Sequence, residues 1–151
     1  MSTDLNILYT AVATAAGGRE GHAGTSDGRL DVDLDVPAEL GGTGGPGTNP
    51  EQLFATAWAA CIQSSLFRVA QGRRLDLSGS RITARIGIGL ARSGGFGLTA
   101  AIDLDAPGVD HELALELMAK AHEICPYSRA TRGNIDVTLT AGGALVELQA
   151  A

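Results

Sequence analysis

The stretch NPEQLFATAWAACIQSSLFRVAQ at residues 49–71 decides the fold, because it predicts one long helix in the middle of the chain. Asn49 fits the N-cap and Pro50 fits the first helical position. Gln52 has the spacing of a capping box, and Gly72 is a natural end for the helix. The chain therefore predicts a helix from Pro50 to about Gln71.

The first half of this helix, residues 53–62, is apolar or small on every side. A helix of that composition is buried all round, whereas a surface helix has one polar face. At 151 residues the chain fits a single domain, residues 1–151, with a modest core and little material to surround such a helix. We therefore expect a second subunit to cover part of it.

Strand patterns precede the helix. Residues 6–16 predict a strand, and Asp27-Gly28 is a strong hairpin signal. Residues 30–36 alternate leucine or valine with aspartate, which is typical of a half-buried strand. The glycine-rich residues 41–48 predict a flexible loop.

The second half of the chain repeats this mixture of strands and a helix. Residues 79–91 and 98–105 predict a hairpin, and Asp110 caps a second helix. That helix has the apolar stripe Leu113, Leu117, Met118, Ala121 and Ile124. Residues 129–133 are polar and turn-like, 135–140 predict a strand, and 144–148 leave open whether a short strand follows. Hairpins separated by helices indicate the α+β class.

Composition excludes several functions. The net charge of −6 gives no electrostatic support for a nucleic-acid partner. The N-terminus lacks the basic segment and apolar core of a signal peptide, and the longest apolar run is far below the roughly 20 residues that span a bilayer. We expect a soluble cytoplasmic protein without a membrane partner. A structural disulfide is not expected there, although a transient catalytic one is compatible with that compartment.

Cys61 and Cys125 are the two cysteines, and both have apolar surroundings in the sequence. Such residues are either inert parts of a core or a deliberate redox pair, and their spacing leaves both readings open. A reactive Cys61 in mid-helix needs a nearby cation, since burial alone raises a thiol pKa. Lowering the pKa from about 8.5 to about 6 takes roughly 3.4 kcal/mol. One arginine at about 4 Å supplies about 4 kcal/mol at an effective dielectric near 20.

Arg19, in the turn GGREG at 17–21, is the candidate cation, and Glu51 is available to orient it. Each residue also has a simpler interpretation: Arg19 as a solvated loop charge, and Glu51 as a favourable charge at a helix N-terminus. A zinc site built from the cysteines and the three histidines is not supported, because no CxxC or HxxxH spacing occurs.

Three motifs together resemble a known family. They are GGREG at 17–21, NPEQLFATAWAAC at 49–61 and HEICPYSRATRGNID at 122–136. In order and spacing they are similar to the Ohr/OsmC family, specifically its organic hydroperoxide resistance branch, and the resemblance runs from Leu8 to Thr140. It implies an Ohr/OsmC-like fold with two antiparallel sheet segments around central helices, assembled as an intertwined homodimer.

The resemblance also implies a thiol peroxidase that reduces organic and lipid hydroperoxides. Cys61 is then the peroxidatic residue, Cys125 the resolving residue, Arg19 the activating arginine and Glu51 its partner. The disulfide between the two cysteines would be reduced by dihydrolipoyl groups, as dihydrolipoamide or on a lipoylated protein. No metal, flavin, haem or other cofactor is expected.

Some positions near the presumed site depart from the family pattern. Glu20 stands where aspartate is expected, and Ile62-Gln63 where Phe-Asp is expected. These changes leave the substrate preference open. The pocket lining is assigned to Phe54, Trp58, Ile62 and Tyr127.

Two alternatives remain beside the hydroperoxide reductase. One is an osmotically induced (OsmC-type) family member with a broader peroxide range. The other is a non-enzymatic module on the same scaffold, which senses redox state or binds an apolar ligand and forms the disulfide without turnover.

The spacing of Glu51 and Cys61 indicates how a site could form. Ten positions on one straight helix correspond to about 15 Å along its axis, too far for a shared site. Two helices packed antiparallel across a two-fold axis would bring residue 51 of one copy to residue 61 of the other. We therefore expect an obligate homodimer whose sites contain residues of both chains.

Overall fold

The computed structural model describes residues 4–148. The strands and helices, numbered in chain order, are β1 Ala13–Ala16, β2 His22–Thr25, β3 Asp31–Asp33, α1 Pro50–Gln71, β4 Arg81–Leu90, β5 Phe96–Asp105, α2 His111–Ile124, α3 Pro126–Thr131, β6 Asp136–Ala141 and β7 Ala144–Leu145. Single 3₁₀ turns occupy Gly18–Glu20 and Ala38–Leu40. The α+β class is confirmed. The chain divides into two compact units between Pro50 and Glu51, and the single-domain expectation stays a prediction.

The first unit contains an antiparallel sheet in the order β1-β2-β3. The Asp27-Gly28 hairpin is confirmed, since Thr25 N–H donates to Leu30 C=O at 2.8 Å and Gly28 has a φ of 72°. The prediction of a strand over residues 6–16 is wrong at its start, because β1 begins at Ala13. Residues 4–12 are exposed and lie outside the ladder, so the strand propensity of the residues before β1 has no sheet to pack on in this unit.

The second predicted strand and the glycine-rich loop are tied together. Only Asp31–Asp33 of the predicted 30–36 segment forms a strand, and Leu34 then makes an isolated parallel bridge with Thr48. Asp35 accepts a hydrogen bond from Gly47 N–H at 2.5 Å. The loop at 41–48 is irregular as predicted, and its end is hydrogen-bonded to residues 33–35. Its flexibility stays a prediction.

The second unit contains α1 and a sheet in the order β4-β5-β6-β7. The bounds predicted for α1 are confirmed. The hairpin of β4 and β5 is antiparallel, whereas β5 and β6 pair in parallel, so the expectation of purely antiparallel segments is corrected. A parallel pair needs a long crossover, and α2 with α3 provides it.

The structure also corrects one prediction in the second unit and answers one open question there. Residues 129–133 do not form only a turn, because α3 extends to Thr131. Pro126 suits the first position of this helix, and Arg129 N–H donates to Cys125 C=O at 2.9 Å. Of residues 144–148, only Ala144 and Leu145 form a strand.

The core of the second unit lies between α1, α2 and the sheet. Its fully buried large side chains include Trp58, Ile62, Leu66, Ile102, Leu104, Leu117 and Met118. The Asp110 side chain accepts from Leu113 N–H at 3.3 Å, which confirms the cap of α2. Leu117, Met118 and Ala121 of the predicted stripe are buried and Leu113 is half-buried, which confirms that part of the stripe. The prediction is wrong for Ile124, which is 42% exposed at the last position of the helix.

Helix α1 is not buried all round within one chain. Trp58, Ile62 and Leu66 are buried in the core, while Thr56 and Ala60 are exposed and Phe67 is 45% exposed. By length and composition α1 could cross a membrane, although its buried apolar face identifies it as the core helix of its unit. The expectation that a second subunit covers the other face stays a prediction.

Candidate active site

The structure brings the two cysteines together. Their Sγ atoms lie 3.5 Å apart although 64 positions separate the residues. Both are thiols: Cys125 has no exposed surface, and Cys61 is half-buried. The arrangement therefore has one sulfur within reach of solvent and one fully enclosed behind it.

Different elements position the two sulfurs. Cys61 lies in the middle of α1, whose backbone is rigid there. Cys125 lies at the junction of two helices: its N–H donates to Ala121 C=O in α2, and its C=O accepts from Arg129 in α3. This double role as C-cap and N-cap restrains the Cys125 backbone on both sides.

The two thiols lie close enough to form a disulfide after a small movement. A disulfide has an S–S length of about 2.05 Å, so the sulfurs need to approach by about 1.5 Å. A change of that size is within reach of side-chain rotation and small backbone shifts. The arrangement can thus cycle between a dithiol and a disulfide.

The electrostatics of Cys61 do not favour a thiolate within this unit. Burial raises the pKa of Cys61, and the neighbouring Cys125 sulfur raises it further. The backbone N–H of Tyr127 has the opposite effect and lowers it. Since burial is the largest of these effects, a cation is still needed to ionise the thiol at neutral pH.

The role of the Tyr127 N–H was not predicted from the sequence. The first N–H groups of a helix have no partner inside that helix, and Pro126 at the first position of α3 leaves the Tyr127 N–H as one of them. Proline directly after Cys125 is the signal that could have identified this donor.

Three aromatic rings pack together on the two segments that carry the cysteines. The Phe54 ring centroid is 5.3 Å from that of Trp58 and 6.1 Å from that of Tyr127. Trp58 and Ile62 have no exposed surface, whereas Phe54 is half-buried and Tyr127 is 38% exposed. A ligand approaching from solvent would meet Tyr127 and Phe54 before the other two, and the assignment of all four as pocket lining stays a prediction.

A buried hydrogen bond joins α1 to α3 next to the sulfurs. Trp58 Nε1–H donates to Ser128 Oγ at 3.1 Å, and neither residue has exposed surface. Ser128 was missed in the sequence because a serine after a cysteine motif carries no signal of its partner 70 positions away.

Arg19 belongs to the first unit and lies in the turn Gly18–Glu20, with a half-buried side chain. The turn needs its glycines: Gly17 has a φ of 80°, and a Cβ on Gly21 would lie 1.8 Å from the Ala16 carbonyl oxygen. The backbone at Arg19 is thus defined by a tight turn, as its sequence indicated. The pairing of Arg19 with Cys61 stays a prediction.

Glu51 is half-buried in the first turn of α1. Because α1 is continuous from Pro50 to Gln71, Glu51 and Cys61 of one chain are separated by about 15 Å along the helix axis. The structure does not bring these two residues together within one chain.

His122 precedes Cys125 on α2 and is buried. Burial lowers its pKa, and the charge of Arg132 lowers it further, so both effects favour the neutral ring. Within residues 4–148 no group of three or more His, Cys, Asp or Glu residues is arranged to hold a metal ion, and the zinc interpretation gains no support.

A surface groove of about 550 Å³ lies at the C-terminal end of α1. Its lining includes Phe67, Arg68, Leu75 and Leu77. None of the four residues assigned to the substrate pocket lines it, so this groove and the cysteine pair are separate features of the second unit.

Comparison with known proteins identifies the family. The family model described as OsmC-like protein matches residues 42–140. The organic hydroperoxide resistance protein of Xanthomonas axonopodis pv. citri is 52% identical over 141 residues, which cover 93% of this chain and 99% of that protein. The chain belongs to the Ohr/OsmC family, in its organic hydroperoxide resistance branch.

Solved structures of the family agree with this fold. An organic hydroperoxide resistance protein from Legionella pneumophila superposes with a TM-score of 0.85 at 45% identity, covering 90% of this chain and 98% of that one. OhrB of Bacillus subtilis superposes with a TM-score of 0.83 at 43% identity, covering 89% and 99%. The Ohr/OsmC-like fold expected from the three motifs is confirmed.

Proposed function

We propose that this chain is a thiol-dependent peroxidase that reduces organic hydroperoxides, of alkyl or lipid type, to alcohols. Relatives that match nearly the whole chain are named for resistance to organic hydroperoxides, which supports a role in peroxide detoxification. The observation that carries the mechanism is the 3.5 Å distance between the Cys61 and Cys125 sulfurs.

The order of the two sulfurs follows from their exposure. Cys61 is half-buried and can meet a peroxide, whereas Cys125 has no exposed surface. The Cys61 thiolate attacks one peroxide oxygen, the O–O bond breaks, and the alkoxide leaves and takes up a proton to become the alcohol. Cys61 is then a sulfenic acid.

Cys125 closes the cycle. Its sulfur attacks the Cys61 sulfenic sulfur, an S–S bond forms, and the sulfenic oxygen leaves as water with the thiol proton. An external dithiol reduces the disulfide by exchange through a mixed disulfide. We assign this role to dihydrolipoyl groups, as dihydrolipoamide or on a lipoylated protein, and we place the reaction in the cytoplasm without a cofactor.

Arg19 activates Cys61 by lowering the pKa of its thiol, and the Glu51 carboxylate orients the Arg19 side chain. The surroundings of Cys61 in its own unit raise its pKa, so a cation has to come from elsewhere. The separation of about 15 Å along α1 favours a Glu51 that serves the Cys61 of a partner copy. The active form is then a homodimer with two composite sites.

A direct test measures mass and turnover on the same protein. One equivalent of cumene hydroperoxide should remove two hydrogens, mapped to a Cys61–Cys125 bond. Continuous consumption should follow when dihydrolipoamide is supplied, with cumene hydroperoxide reduced faster than hydrogen peroxide. Disulfide formation without turnover would instead identify a redox-sensing module, and equal rates on both peroxides would identify the broader OsmC type.

A further inference from the structure

The hydrogen bond from Trp58 to Ser128 joins the same two segments as the sulfur pair, α1 and residues 125–128. Trp58 is three positions before Cys61 on α1, and Ser128 is three positions after Cys125 in α3. Three adjacent contacts thus connect α1 to the segment 125–128: the sulfur pair, the indole–hydroxyl hydrogen bond, and the Phe54–Tyr127 ring contact.

We propose that Ser128 is a positioning residue for disulfide formation: its hydrogen bond with Trp58 holds Cys125 within reach of an oxidised Cys61. This inference rests on the proposed function. Ser128 then acts in the second chemical step, the formation of the disulfide, and takes no part in the attack on the peroxide.

The second step is the one that depends on the distance between α1 and α3. The first step involves Cys61 and the peroxide, and Cys125 does not react. In the second step the Cys125 sulfur must move about 1.5 Å closer to the Cys61 sulfur, displacing the hydroxyl as water. Cys61 lies in α1 and Cys125 caps α3, so any separation of these two helices would move the sulfurs apart and slow the formation of the disulfide.

The hydrogen bond is well suited to that task because it is enclosed. Neither Trp58 nor Ser128 is exposed, so water does not compete for the indole N–H. The other buried hydroxyl of α3, on Thr131, donates to Tyr127 C=O inside its own helix at 2.9 Å. Thr131 therefore provides a matched control that removes a buried hydroxyl without breaking a link to α1.

A slow second step has a specific consequence. Cys61 sulfenic acid that is not captured by Cys125 reacts with another peroxide molecule and becomes sulfinic acid, which thiols do not reduce. The hydrogen bond would thus decide how much peroxide the protein tolerates before it is inactivated.

The first experiment measures the thiol–disulfide equilibrium against dithiothreitol and needs no peroxidase activity. Ser128→Ala should shift the Cys61–Cys125 equilibrium toward the dithiol by up to about fivefold, the full effect of one buried hydrogen bond, because the variant dithiol loses a restraint that the disulfide supplies covalently. Thr131→Val should leave it at the wild-type value. An unchanged equilibrium in folded Ser128→Ala would overturn the proposal.

A double-variant cycle separates positioning from general loss of packing. Because Trp58→Phe removes the same hydrogen bond from the other side, the double variant should shift the equilibrium no more than the larger single change. The double variant also leaves neither group unsatisfied, so it carries the test if Ser128→Ala alone does not fold. Fully additive shifts would contradict a shared contact.

The second experiment measures the oxidation products of Cys61 in excess peroxide. At ten equivalents of cumene hydroperoxide, Ser128→Ala should accumulate Cys61 sulfinic acid several-fold above wild type, while the rate of the first oxidation is unchanged. Ser128→Thr, which keeps a hydroxyl, should restore the wild-type partition. If wild type makes no disulfide with peroxide, the proposed function fails, whereas the dithiothreitol equilibrium still tests the positioning role. A slower first oxidation in Ser128→Ala would contradict it.

Discussion

The Sγ atoms of Cys61 and Cys125 lie 3.5 Å apart, in a unit whose other contacts already fix their backbones. Cys61 belongs to a continuous helix, and Cys125 caps two helices at once. Two thiols in van der Waals contact do not require a bond between them, but their restraint makes one easy to form.

Replacing either cysteine should stop the reaction at a different stage. Cys61→Ser should abolish peroxide reduction, because no sulfur remains to attack. Cys125→Ser should permit one reduction and then leave Cys61 as sulfenic or sulfinic acid. Intact-mass spectra after a single addition of peroxide report both outcomes, with wild type as the control that loses two hydrogens. A Cys125→Ser protein that turns over with dihydrolipoamide at the wild-type rate would exclude a resolving role.

Removing Arg19 should make Cys61 titrate higher. Because burial already raises the Cys61 pKa, Arg19→Ala should leave the thiol with that raised pKa, whereas the thiol of the protein with the arginine in place should titrate at a lower pH. At pH 7 the rate of alkylation by iodoacetamide should fall by about tenfold for each unit by which the loss of the arginine raises the pKa. The rate should recover as the pH rises, since only the thiolate reacts.

The matched control for this experiment is Arg29→Ala. Arg29 belongs to the same unit, is highly exposed and forms an ion pair with Asp27 at 3.5 Å. Its loss should leave the Cys61 titration unchanged. An Arg19→Ala profile that coincides with wild type would remove Arg19 from the mechanism.

Mixing two inactive variants should restore activity if each site uses both chains. Glu51→Ala and Cys61→Ser should each be inactive alone, the first through slow activation of the thiol. A heterodimer of the two has one site with both residues intact, so activity should return to at most half of the wild-type level per dimer. The measurement is turnover after co-refolding or co-expression.

The control mixes Cys61→Ser with Cys125→Ser. These cysteines belong to one site within a single chain, since their sulfurs are already in contact there. That mixture should regain no sustained turnover. If Glu51→Ala and Cys61→Ser also fail to complement, although heterodimers form, Glu51 does not act on a partner's cysteine.

The stability of the folded protein at acidic pH should depend on Glu116. This carboxylate on α2 contacts Arg73 at 2.6 Å and Lys120 at 2.8 Å, and the hydrogen bond from Arg73 is the largest cause that lowers its pKa, to about 2. Its usual pKa is about 4.3, so the stabilisation is present above that pH and is lost as the pH falls toward 2.

Glu116→Gln should therefore lower the thermal midpoint above pH 5 and make no difference near pH 2. Glu123→Gln changes the same type of residue on the same helix, and among residues 4–148 Glu123 forms no ion pair. Calorimetry of the three proteins across this pH range checks the difference. A Glu116→Gln effect that persists unchanged at pH 2 would point to a cause other than the carboxylate charge.

Local sequence signals predicted α1 to the residue. The cap at Asn49-Pro50 and the glycine after Gln71 act on neighbouring backbone groups, so their effect is readable without the rest of the fold. The same holds for the Asp27-Gly28 hairpin and for the Asp110 cap of α2. Alternation also predicted the β4–β5 hairpin correctly.

Strands were harder to predict from the sequence wherever their formation depends on a pairing partner elsewhere in the chain. Residues 6–12 have strand-forming side chains but lie outside the ladder, whereas Leu34 and Thr48 pair across a glycine-rich loop that gave no strand signal. The parallel pairing of β5 and β6 was likewise missed, because the direction of pairing follows from the path of the crossover.

The amino-acid sequence alone determined α1, α2, the Asp27-Gly28 turn, the family and the identity of the two thiols, since each depends on short-range signals or on motifs in a given order. Tertiary structure decided that the two sulfurs meet, that Tyr127 directs an N–H at Cys61, and that Ser128 binds Trp58 from 70 positions away. Those contacts join residues that are remote in the chain, and only the packing of α1 against α3 brings them within hydrogen-bonding distance.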